Sequence, residues 1–348
     1  MQRSTYRGRR AATIENRFLR VTVLEEGGHV AEIVDVARGV NPLWTPPWPS
    51  IEPSGYSPSR DSLYGTGSEA KLLAGIMGHN VCLDIFGGPS AEEEAAGLVA
   101  HGEAPVSRYV IGGSATELTM SAELPMAQLR FERRIALIDR TVRFEETVEN
   151  TTGTDRAIGW TQHVTLGPPF LEKGSTEFRA SATRSKVFEG AFGTADYLEP
   201  AAVFDWPDAP RAGGGTADLR TFTSSAESSA YTTHLMDVSR EHAFFSAFSK
   251  PTGLAFGCVW ERAAFPWMGI WEENLSRKGT PWSGRTLTRG MEFGVSPFPE
   301  SRRQMIERGR LFDAATFRWI PARSRVSTVY WAVLAEADAV PEEIGWPL

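Results

Sequence analysis

LTMSAEL at 118–124 places Leu118, Met120, Ala122 and Leu124 on one side of the chain and Thr119, Ser121 and Glu123 on the other. Side chains alternate across a strand with a period of two, so this spacing predicts a strand with one buried and one wet face. The same phase returns where Val142, Phe144 and Val148 stand opposite Arg143, Glu145 and Thr147. Working outward, 18–24, 30–36, 129–137, 242–249, 253–260 and 325–334 read alike, with Gly, Pro, Asn or Asp between many of them as turn chemistry. Helical spacing is scarce, and 91–98 and 300–308 are the best short candidates. The chain therefore reads as all-β and mainly antiparallel. No repeat of fixed period argues for a propeller or β-helix. No composition shift divides the sequence, so 1–348 reads as one domain. The Pro/Trp-rich 42–58 and the Gly/Ser/Thr-rich 205–230 read as long surface loops, of the kind that build binding rims on a rigid scaffold.

Composition narrows the function. Of 348 residues, 41% are apolar and 23% charged, the proportions of a globular chain that can bury a large core. The formal net charge is −7 and the basic residues are scattered, which leaves no footprint for nucleic acid. The positive N-terminus, MQRSTYRGRRAATIENRF, has no apolar run behind it, so a secretory signal is not expected. Nothing approaches the roughly 20 apolar residues of a membrane span. Cys82 and Cys258, both in apolar surroundings, read as buried free thiols, and a cytoplasmic location is expected.

Chemistry gathers in three places. The segment 78–103, GHNVCLDIFGGPSAEEEAAGLVAHGE, offers His79, Asn80, Asp84, His101 and Glu103 as hydrogen-bonding groups for a polyol, His101 in HGEAP being the best placed. The bland alternative is a Gly-rich crossover with capped turns. FGGP is no phosphate cradle, lacking the GxxxxGK[ST] pattern. His163 lies in the strand-like GWTQHVTLGPPF beside Gln162, and Glu292 in RGMEFGVSPFP. A carboxylate among such apolar neighbours is partly desolvated, which raises its pKa and suits it to accept a proton. A packed histidine and an edge-strand glutamate are the plainer alternatives. In FPWMGIWEEN, Trp267 and Trp271 offer indole plates for the apolar face of a sugar ring, Trp271 being preferred, although large β cores also use such rings for packing.

The order of NRFLRVTV at 16–23, EEGGHV at 25–30, HGE, the strand-borne QH and MEFG followed by PFP resembles the aldose 1-epimerase (galactose mutarotase) family over roughly residues 14–335. The resemblance implies a galactose mutarotase-like β-supersandwich with a sugar site in its concave face and no cofactor. It also implies that Glu292 is the base taking the anomeric proton, His163 the acid protonating the ring oxygen, and His101 a residue that orients the sugar. Asp237 in THLMD corresponds to a sugar-binding aspartate, whereas the family's early arginine has no counterpart in GIMGHNVCLD at 75–84. His163 and Glu292 are expected to stand about the width of a pyranose apart, because they act on different oxygens. The partner expected is a small-molecule sugar, with neither nucleic acid nor membrane. Two other functions compete. One is a catalytically silent carbohydrate-binding protein on the same fold. The other is a metal enzyme using His79, His101, Glu103 and His163, with HxE at 101–103 on one strand face. No HxH or HExxH pattern accompanies that set, so no metal site is expected.

Overall fold

The computed structural model describes residues 1–347. Its strands obey the alternation. In Glu117–Leu124 the buried positions are Leu118, Met120, Ala122 and Leu124, and in Thr141–Asn150 every second residue is buried. These strands belong to an eight-stranded sheet in the order 177–180, 242–249, 254–261, 325–336, 141–150, 129–138, 117–124 and 110–113. A twelve-stranded sheet faces it, and its central neighbours are His79–Asp84, Arg156–Leu166, Leu287–Gly294, Trp267–Asn274 and Ser228–Met236. All of these neighbours pair antiparallel. The all-β, mainly antiparallel class is as the sequence predicts.

Helices form at Ala91–Ala95 and Arg302–Arg308, each opened by a serine capping box that satisfies otherwise orphaned backbone donors. The short helix Ala70–Gly75 was not expected, because six residues are too few to display a period. Both expected surface loops need correction. In 42–58, Trp44 and Trp48 are buried, and Trp48 Nε1 donates to the Leu73 carbonyl at 2.9 Å. That segment is an aromatic cap rather than a rim. In 205–230, Asp208–Pro210 and Thr216–Asp218 form a hairpin over buried Ala209 and Ala217, and Ser228 already begins a central strand.

The main core lies between the two sheets. Trp260 and Phe293 stack there with ring centroids 4.1 Å apart, and Cys258 is a buried free thiol beside them, as Cys82 is elsewhere. Within this apolar layer sits one dense polar knot. Glu146 accepts from Arg133 Nε at 2.7 Å, the Tyr330 hydroxyl at 2.8 Å, Trp160 Nε1 at 3.0 Å and Gln162 Nε2 at 2.6 Å. His79 Nε2 closes the knot on Gln162 Oε1 at 3.0 Å. Arg133, Glu146 and Tyr330 come from the smaller sheet, and Trp160, Gln162 and His79 from the larger, so the knot ties sheet to sheet. Removing the carboxylate leaves Arg133 Nε, Trp160 Nε1 and Gln162 Nε2 without their acceptor in a buried layer, while the Tyr330 hydroxyl keeps Gln162 Oε1 at 3.0 Å. Glu146→Leu is therefore expected to cost about 3–5 kcal/mol in urea unfolding. A loss below about 1 kcal/mol would show that the knot is not a stabilising tie.

Candidate active site

The face of the large sheet turned away from that core carries the candidate site. Register places its parts: His163 pairs directly with Glu292 on one side and with Asn80 on the other, while Glu292 pairs with Gly269. Directly opposed residues point to the same face, so Asn80, His163 and Glu292 form one cross-strand row. Two residues along, on the same face, Trp271 pairs with Tyr231 and with Gly290. Gly290 is bare for a reason. A Cβ there would lie 2.2 Å from Glu292 Oε1, so only glycine leaves the carboxylate its position.

His101 arrives from outside the sheet. Its backbone carbonyl accepts from Leu83 N–H at 3.2 Å, its own N–H donates to the Gly87 carbonyl at 2.9 Å, and its φ is +64°. A left-handed conformation is costly for a residue with a Cβ and is often held at functional sites. Its neighbour Gly102 has φ +79°, and a Cβ there would meet the Leu83 carbonyl at 2.0 Å. The HG pair thus presses this turn onto the strand edge and carries the imidazole to within 4.9 Å of the His163 ring, centroid to centroid.

His101, His163, Trp271 and Glu292 share a cavity of about 320 Å³, walled also by Leu72, Phe86, Tyr231 and Trp282. His163 Nε2 lies 3.2 Å from Glu292 Oε1, with both side chains buried. The expected separation by a pyranose width is therefore wrong. The anomeric hydroxyl and ring oxygen are bonded to the same carbon, so groups serving both must be neighbours. The contact is close but is not an aligned hydrogen bond, since Glu292 Oε1 has no hydrogen-bond partner. His163 Nδ1 is occupied by the Thr165 hydroxyl at 2.8 Å, which leaves Nε2 as the nitrogen facing the carboxylate.

Burial dominates the electrostatics. It raises the Glu292 carboxyl well above the usual carboxylate range and lowers His163 to about 4. His101 is also held well below an ordinary histidine, by burial and then by the neighbouring His163. Burial therefore favours the neutral form of both groups, with the proton on Glu292. Other polar atoms stand idle: His101 Nδ1 and Trp271 Nε1, on two residues that line the cavity, are buried without partners. Buried polar atoms are normally satisfied, so a group of unsatisfied ones around a cavity marks where ligand atoms complete the set.

Several expected site residues lie elsewhere. Gln162 and His79 face the inter-sheet core and belong to the Glu146 knot, because neighbours of His163 and Asn80 along a strand point to the opposite face. Asp84 is buried in an ion pair with Arg302 and lies 3.6 Å from Arg156, a structural role. Asp237, half-buried at the end of its strand, accepts from the Ser239 hydroxyl at 2.7 Å. Asn80 stands beside His163 but does not line the cavity. Trp267 is buried with its Nε1 donating to the Ala315 carbonyl, away from the site. The proposed metal set also disperses. Residues 101–103 form a turn rather than a strand, and Glu103 accepts from the Ala127 N–H at 2.7 Å. Among the described residues no group of three or more His, Cys, Asp or Glu side chains is arranged to hold a metal.

Three lining residues escaped the sequence reading. Tyr231 lies on a strand with no flanking motif. Arg277 and Trp282 lie in an irregular segment whose Gly and Pro content reads only as a loop. Arg277 is the cation of this wall, stacked 4.7 Å from the Trp282 ring and donating to the Phe192 carbonyl at 3.3 Å.

No family model and no curated protein matches the sequence. Solved structures do match in shape. A candidate aldose 1-epimerase from Klebsiella pneumoniae superposes with a TM-score of 0.64 at 14% identity, over 95% of this chain and 80% of that one. A galactose mutarotase related enzyme from Lactobacillus acidophilus gives 0.58 at 12% identity, over 95% and 99% of the two chains. A galactose mutarotase-like protein from Lactobacillus casei gives 0.57 at 13% identity, over 93% and 100%. At such identities the likeness speaks for architecture, and the chain has the galactose mutarotase-like fold.

Proposed function

We propose that this protein is an aldose 1-epimerase-like isomerase that interconverts the anomers of a reducing sugar. The observation that carries the reading is the contact of Glu292 with His163, 3.2 Å apart on the floor of a cavity with unpaired polar atoms. Mutarotation removes the proton of the anomeric hydroxyl and delivers one to the ring oxygen. The C1–ring oxygen bond breaks, the open aldehyde turns about the C1–C2 bond, and the reverse steps close the ring on the other face. A pair that shares one proton is at once donor and acceptor for these two oxygens. With that proton on His163, Glu292 is the base and His163 the acid, as the sequence resemblance implies. With it on Glu292, which burial favours at rest, the same transfers run in the opposite sense. His101 and Trp271 line the cavity beside the pair, and the Trp271 indole gives the ring carbons an apolar surface.

Removing one partner removes this capacity while keeping the shape. Glu292→Gln is expected to slow anomer exchange, followed by magnetisation-transfer NMR, by about 10²–10⁴-fold. Sugar affinity should change much less, because the amide keeps the contacts of the carboxyl group. Wild-type exchange in this variant and in His163→Asn would leave a silent sugar-binding protein on the same fold.

The pH profile tests the shared proton. Below about pH 4, His163 takes a second proton and the pair has no acceptor, so the rate falls. On the alkaline side the rate falls only when Glu292 gives up its proton, at a pH well above the usual carboxylate range. A plateau that opens above about pH 4 and closes where Glu292 titrates, above the usual carboxylate range, is the expected form. A rate that climbs steadily through neutrality would contradict it.

A further inference from the structure

Thr165 stands two residues beyond His163 on the strand Arg156–Leu166, so the two side chains point to the same face. Opposite it in the sheet is Gly290, the residue whose missing Cβ leaves Glu292 its position. Thr165 is firmly held. It is 1% exposed, its carbonyl accepts from the Trp44 N–H at 2.7 Å, and its branched Cβ restricts χ1. Its hydroxyl lies 2.8 Å from His163 Nδ1. Thr165 does not line the cavity, so whatever it does for a bound sugar it does through the imidazole.

The direction of this hydrogen bond decides what His163 can do. A neutral imidazole carries one N–H, and the bond made by one nitrogen sets the state of the other. A hydroxyl can serve either way. If Thr165 donates to Nδ1, the hydrogen sits on Nε2, facing a carboxyl group that burial holds toward its protonated form. The pair then has no bare nitrogen to accept a proton. If the hydroxyl instead accepts from Nδ1–H, Nε2 is bare and lies 3.2 Å from Glu292 Oε1. Nε2 can then take the proton of the anomeric hydroxyl while the Glu292 carboxyl gives its own to the ring oxygen, as the C1–ring oxygen bond breaks and the C1 carbonyl forms. The imidazolium produced keeps its Nδ1–H throughout, so the same acceptor serves before and after the transfer.

We infer that Thr165 is a positioning residue, whose hydroxyl accepts from His163 Nδ1–H and so reserves Nε2 for the proton that passes between sugar and protein. The inference rests on the isomerase reading for the task of the His163–Glu292 pair.

Thr165→Val keeps the shape and removes the acceptor, and Thr165→Ser restores it. The ring-nitrogen NMR signals of His163 in ¹⁵N-labelled full-length protein, assigned by their loss in His163→Asn, report the tautomer independently of activity. Wild type and Thr165→Ser are expected to show a protonated Nδ1 and a bare Nε2, and Thr165→Val a shift of the hydrogen toward Nε2. Anomer exchange by magnetisation-transfer NMR is expected to fall about tenfold in Thr165→Val, the scale of one lost hydrogen bond, and largely to return in Thr165→Ser. Sugar affinity by titration calorimetry should stay within about twofold, because Thr165 touches no sugar. Thermal unfolding controls for folding. If Thr165→Val does not fold, the wild-type tautomer decides alone. A bare Nδ1 in the wild type overturns the inference, as does a Thr165→Val protein that is less stable but keeps the wild-type tautomer and rate. The expected tautomers in a wild type without anomer exchange would defeat the isomerase reading and leave the assignment of the hydrogen bond standing.

Discussion

The site depends on the register between the strands Arg156–Leu166 and Leu287–Gly294. His163 opposite Glu292, with Gln162 opposite Phe293, puts the proposed acid–base pair on the cavity face and the hydrogen-bonding amide in the core. Because side chains alternate, a slip of one residue in the chain would turn His163 into the apolar layer and expose Gln162 to the cavity. The core prevents this from behind. Trp160 and Gln162 both donate to Glu146, which is itself held by Arg133 and Tyr330 from the facing sheet. A polar knot is an expensive thing to bury, but its directional bonds accept only one register, and apolar packing alone does not have that property.

The same burial sets the chemistry. Glu292 and His163 are both buried, so both lean toward their neutral forms, with the proton on the carboxyl group. The His101 turn adds a second device. Its left-handed backbone costs about 1–3 kcal/mol, and the surrounding bonds to Leu83 and Gly87 hold it in place. Register, burial and a strained turn therefore bring together three side chains that stand at positions 101, 163 and 292 of the sequence.

Much of the fold was legible because alternation is a local signal: Leu118 to Leu124 and Val142 to Val148 announce their buried faces residue by residue. His101, His163, Trp271 and Glu292 were legible through their short motifs and apolar settings, and the structure brings them to one cavity. Misreadings came where composition and environment part company. Gln162 and His79 look like ligand-binding groups because polar residues seldom sit in a core, yet here they complete the Glu146 knot. The Pro-rich 42–58 looks like a surface loop, yet Trp44 stacks on Trp282 to close the back of the cavity wall. Distances were the least legible, since only the register decides whether His163 and Glu292 touch.

The central claim of the proposed isomerase function is that it depends on the placement of the Glu292 carboxylate against His163, and not merely on its presence. Gly290→Ala separates the two. The new Cβ would meet Glu292 Oε1 at 2.2 Å, a flexible side-chain end that moves aside while the backbone stays as it is. Anomer exchange measured on this variant, alongside its thermal unfolding, is expected to drop by about tenfold or more, with a fall in Tm of only a few degrees. An unchanged exchange rate in a variant shown by crystallography to have displaced the carboxylate would contradict the claim.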